Sequence, residues 1–121
     1  MNEISKIIGK TAISYTETDG KLILAFDDKT QIKFYHDQDC CESVEIDQID
    51  GDLNSLIGKP LLMAEIAESD GEAKNTGYYG DDSWTWTFLK LATSNGYVTV
   101  KWYGSSNGYY SESVDYVLEE V

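Results

Sequence analysis

The sequence predicts a β-rich α+β fold: an antiparallel sheet with a C-terminal three-strand meander and one or two short helices, in a single domain over residues 1–121. Three observations carry this. Apolar residues alternate with polar ones over short runs, the period of a half-buried strand. Asp19-Gly20, Asn95-Gly96 and Asn107-Gly108 are hairpin-turn dipeptides standing between such runs. Trp84-Thr85-Trp86-Thr87-Phe88 joins two strong β-forming residue types in strict alternation.

In chain order, Ile4, Ile7 and Ile8 stand at helical spacing in a short first segment. Thr11 to Thr18 forms a strand with Ile13 and Tyr15 on one face. Asp19-Gly20 turns the chain into Leu22, Leu24 and Phe26, and residues 27–30 turn it again into Ile32 and Phe34. After a polar interruption at 36–42, Val44 and Ile46 alternate with Glu45 and Asp47. A short helix follows: Asp52 caps it, Leu53, Leu56 and Ile57 share a face, Gly58 stops it, and Pro60 blocks continuation. Leu61 to Ala67 is a strand, and residues 69–83 form a long polar loop. Trp84, Trp86 and Phe88, with Val98, Val100 and Trp102, supply core, while Tyr97, Tyr103, Tyr109 and Tyr110 fall on the opposite face or at hairpin tips. Tyr109 to Leu118 closes the meander.

Composition bounds the function. The 121 residues carry 22 acids against nine bases, a net charge of −13, and every base is lysine. Without a basic face or arginine forks, direct nucleic-acid binding is not expected, nor is adhesion to an anionic membrane. Fifteen aromatic residues argue against disorder. No apolar run reaches membrane-spanning length, and the first residues lack a secretory profile, so a soluble cytoplasmic protein is expected. The charge is also uneven. Residues 37–52 hold seven acids and no lysine, whereas residues 83–111 hold no acid and eight aromatics. A surplus of carboxylates steers a protein toward basic partners, although it also aids solubility.

The densest cluster of reactive side chains is His36-Asp37-Gln38-Asp39-Cys40-Cys41-Glu42, which holds the chain's single histidine and both cysteines. Adjacent cysteines bridge only with strain, so thiols or metal ligands are expected. On one helical turn His36, Asp39 and Cys40 share a face, and all are good zinc ligands. Cys41 would complete a tetrahedron if the backbone leaves the helix there. The plainer alternative is a strand-to-loop junction with two cysteines in the core and a capping histidine. No phosphate-binding loop or EF-hand pattern is present, and the acidic neighbours of the cysteines disfavour thiolates, so an enzyme is not expected.

The run His36-Asp37-Gln38-Asp39-Cys40-Cys41-Glu42-Ser43-Val44, Gly51-Asp52-Leu53, Leu56-Ile57-Gly58-Lys59-Pro60, Trp84 to Phe88, and Gly96 to Gly104 with Asn107-Gly108-Tyr109-Tyr110-Ser111 resembles a family of small proteins from phages and prophages of Gram-positive bacteria. The likeness covers roughly residues 20–118. The family includes anti-CRISPR proteins against type II (Cas9) systems. The resemblance implies an anti-CRISPR inhibitor that works in the bacterial host cytoplasm and holds structural zinc through His36, Asp39, Cys40 and Cys41. Combined with the acidic surplus and the tyrosines, this gives a protein expected to bind the basic effector Cas9 through Glu45, Asp47, Asp50, Tyr103, Tyr109 and Tyr110 and to block nucleic-acid engagement. The competing readings are a metal-dependent hydrolase or nuclease using the same cluster, and a phage accessory protein-binding domain.

Overall fold

The computed structural model describes residues 3–18, 20–37, 42–69, 83–106 and 111–121. Eight strands run through it: β1 (Ala12–Thr18), β2 (Lys21–Phe26), β3 (Thr30–Tyr35), β4 (Ser43–Asp50), β5 (Met63–Ser69), β6 (Ser83–Thr93), β7 (Gly96–Ser106) and β8 (Asp115–Glu120). They form two antiparallel four-stranded sheets, ordered β1-β2-β3-β8 and β4-β7-β6-β5. The β-rich, antiparallel expectation holds. The α+β expectation does not, because the helical segments are two 3-10 turns, Glu3–Ile7 and Leu53–Leu56. Asp52 does cap the second, accepting from the Asn54 amide, but four residues ending at an extended Ile57 cannot build an α-helix. The expected meander is also broken. β6 and β7 pair along their whole length, but β8 leaves them and pairs with β3 in the other sheet.

One core joins the sheets. Leu22, Leu24, Phe26, Ile32 and Phe34 from the first meet Leu89, Leu91, Val98, Val100 and Trp102 from the second, all nearly or fully buried. Phe34 and Trp102 pack with ring centroids 6.4 Å apart. The Trp102 indole N–H donates to the Gly20 carbonyl at 2.8 Å, tying β7 to the tip of the β1–β2 hairpin. Burying an indole requires such a partner for its N–H.

Two bulges decide which side chains point inward. The β1–β2 register shifts between Ala12 and Ser14, so Ala12 and Tyr15 face β2's buried side while Ile13 is 58% exposed. The expected Ile13–Tyr15 face is therefore not formed. The β4–β7 register shifts between Ile46 and Gln48, making Asp47 the extra residue and turning Ile46 and then Ile49 toward the core.

On β6 the inward residues are Thr87, Leu89 and Leu91, which pair with Trp102, Val100 and Val98. Trp84, Trp86 and Phe88 take the opposite, outer face and are half-buried, not core. The β6–β7 loop is Ser94-Asn95, closed by the Thr93–Gly96 pair, one residue earlier than the Asn95-Gly96 dipeptide suggests. Neither loop residue has positive φ, so the turn is not type I′. The Asn107-Gly108 turn and most of the 69–83 loop lie outside the described residues.

The β2–β3 turn has its own logic. Lys29 takes a left-handed conformation (φ +66°), and the Asp28 carboxylate accepts from the amide and hydroxyl of Thr30 and from Lys10. The Lys10 hydrogen bond, then that of Thr30, lowers the Asp28 pKa below the usual carboxylate range.

Candidate metal centre and partner-binding edge

The chain passes between the sheets twice at one end of the molecule. Residues 36–42 lead from β3 in the first sheet to β4 in the second, and residues 107–114 lead from β7 back to β8. The crossings are joined through His36. Its Nδ1 lies 2.7 Å from the Ser113 carbonyl, and its Nε2 lies 2.9 Å from Glu42 Oε2. A carbonyl only accepts, so Nδ1 carries a hydrogen. Nε2 and a carboxylate oxygen are both electron-pair donors, and at 2.9 Å they repel unless a cation lies between them. That cation is a proton or a metal ion. At 2.9 Å there is no room for a water between the two atoms, and their side chains are 6% and 0% exposed.

Glu112 is the second buried carboxylate of this end. It accepts from Thr85 Oγ1 at 2.9 Å and from Ser106 Oγ at 2.6 Å. Its backbone lies directly on β7 at Gly104. A Cβ there would stand 2.6 Å from the Glu112 carbonyl oxygen and 3.0 Å from its Cβ. Only glycine lets the second crossing approach this closely. The hydroxyls of Thr87 and Ser105 are buried with no hydrogen-bond partner among the described residues.

Of the expected zinc ligands, His36 lies in this buried corner, while Asp39, Cys40 and Cys41 lie outside the described residues. No three His, Cys, Asp or Glu side chains form a metal-binding group among the described residues. Sequence reasoning did not assign Glu42 as a ligand, nor did it single out Glu112. Glu42 is the acid three residues beyond Asp39, directly after Cys41 in the same cluster, and Glu112 is the acid that ends the acid-free stretch 83–111.

The expected partner-binding residues separate. β4 is an edge strand of the second sheet, with Glu45 and Asp47 exposed. Asp50 is engaged: its carboxylate lies 3.3 Å from Lys101 Nζ and accepts from Gln48 Nε2 at 2.6 Å. Tyr103 shares the outer face with Trp86, their ring centroids 4.8 Å apart, but is only 5% exposed. Its ring is therefore packed, contrary to the expectation that it meets a partner. Tyr109 and Tyr110 lie outside the described residues. Among the described residues no helix is long and apolar enough to cross a membrane.

A family model described as a domain of unknown function, DUF7448, matches residues 5–116. Comparison with curated proteins and with solved structures gives no match.

Proposed function

Since the chain belongs to the DUF7448 family, whose description assigns no activity, we propose from its own surface that it is a non-enzymatic module binding a cationic protein. The observation that carries this reading is the β4 edge: Glu45 and Asp47 are exposed on an edge strand of the second sheet, and the strand holds no lysine. An anionic edge on a protein of net charge −13 attracts a basic surface over several ångströms before contact. The crossing just upstream fixes the entry into β4 through His36 and Glu42. A structural zinc ion held by His36, Cys40 and Cys41, with Glu42 as fourth ligand in place of the expected Asp39, would tighten that corner further. Its role would be folding, not chemistry.

The resemblance to anti-CRISPR proteins makes a type II Cas9 effector in the bacterial cytoplasm the partner to test first. Purified Cas9 should retain the protein at low ionic strength, and retention should fall steeply as salt approaches physiological strength. Glu45→Lys with Asp47→Lys should slow association about tenfold while leaving the melting temperature nearly unchanged. Absence of any association at low salt removes the anti-CRISPR reading. Association that ignores the β4 reversals removes β4 as the contact.

A further inference from the structure

Charge in the two sheets is sorted by strand position. The four edge strands carry only acids: Glu17 on β1, Glu45, Asp47 and Asp50 on β4, Glu65 and Glu68 on β5, and Asp115, Glu119 and Glu120 on β8. The four inner strands carry no acid and one lysine each, Lys21, Lys33, Lys90 and Lys101. Partner steering alone calls for one acidic face, not for acids on all four margins and none between them.

Open sheets leave rows of unpaired amides and carbonyls at both margins, and such rows pair with other chains unless obstructed. Among the described residues the two sheets present four margins, and three of the edge strands are seven or eight residues long, with apolar residues such as Ile46 and Ile66 in them. Pairing one edge with another brings their acids onto neighbouring strands, where directly opposite side chains stand about 5 Å apart, and neither strand holds a lysine to offset them. The inner lysines act within each sheet, as Lys101 does toward Asp50.

We infer that the edge acids are a guard against self-association: they keep this chain from adding a second copy of itself, edge to edge, to either sheet. The guard belongs to the fold and works whatever partner β4 binds.

The test compares two triple variants of equal charge. Glu45→Gln, Glu65→Gln and Glu68→Gln remove three exposed edge acids. Asp27→Asn, Asp37→Asn and Asp52→Asn remove three exposed acids outside the strands, and asparagine caps a helix as well as aspartate does. Sedimentation equilibrium and light scattering at rising concentration read the outcome. The wild type and the off-edge variant should stay monomeric, while the edge variant shifts its mass-average toward dimer or beyond, with unchanged circular dichroism. Equal behaviour of the two variants, whether both monomeric or both associated, overturns the inference. So does a wild type that is itself paired through a sheet edge. These readouts require no Cas9, so failure here and failure of the proposed function are separable.

Discussion

His36 faces Ser113 through one ring nitrogen and Glu42 through the other, and only the first contact is satisfied by the ring's own chemistry. The Nδ1–H···O=C bond aims Nε2 at the Glu42 carboxylate, the arrangement by which a backbone carbonyl sets the tautomer of a metal-ligating histidine. Glu42, not Asp39, is therefore the acid we expect to complete a zinc site with His36, Cys40 and Cys41. Purified protein should contain about one zinc per chain by elemental analysis. Glu42→Gln should weaken zinc retention against a chelator by more than the roughly 10–100-fold that losing an outer-shell partner costs, while Asp39→Asn leaves it near wild type. Metal-free protein that is fully folded would mean that a proton alone bridges the pair, and the zinc proposal would fall. The cluster itself was legible because every histidine and cysteine of the chain falls within it. The role of Glu42 was not, because its meeting with His36 depends on the path of the loop between them. Glu112 was still less legible: its partners Thr85 and Ser106 are brought to it by the second crossing, which no local pattern announces.

Among the elements, the alternation of the β2 and β3 strands and the turn at 27–30 between them are legible in local chemistry, whereas the loop at 94–95 falls one residue earlier than its dipeptide suggests. Leu22, Leu24, Phe26, Ile32 and Phe34 alternate without interruption, and all five are buried. Where a bulge adds a residue, the alternation reads the wrong face. Ile13 shows this; the Trp84–Phe88 series misleads without a bulge, because Thr87 and not the aromatics faces the core. Pairing partners are less legible again, because β8 joins β3 across most of the chain's length and nothing in its six residues names that partner. The β2–β3 turn yields a prediction at this scale. Asp28 is held ionised by Lys10 and Thr30, and its folded pKa lies below its unfolded one. Its contribution to stability is then complete above the ordinary aspartate range, and it is lost as pH falls through the lowered folded value. Asp28→Asn should be less stable than wild type at pH 7, and the gap should close in strong acid. Denaturant unfolding across that range checks it, and a gap independent of pH would show that the ion pair is not its source. Because Asp28 is exposed, the effect should be small and should shrink with added salt.

At the scale of the whole molecule, two sheets share one core. Trp84, Trp86, Phe88 and Tyr103 add an aromatic layer on the outer face of the β4-β7-β6-β5 sheet, but the fully buried apolar side chains of both sheets meet between them. Trp102 is where that dependence concentrates. It is 1% exposed, its ring packs against Phe34 of the first sheet, and its N–H satisfies the Gly20 carbonyl at the far hairpin. Trp102→Phe keeps an aromatic ring but removes the donor, leaves that carbonyl without its partner, and opens space beside Phe34. The combined cost should be about 2–4 kcal/mol. For a chain of this length that corresponds to a fall in Tm on the order of 10 °C. Thermal unfolding followed by far-ultraviolet dichroism and by tryptophan fluorescence should give one coincident transition in both proteins, because the sheets cannot melt separately. Two resolved transitions, or a Tm shift below about 2 °C, would show that the sheets are held together elsewhere and that the indole contact is incidental.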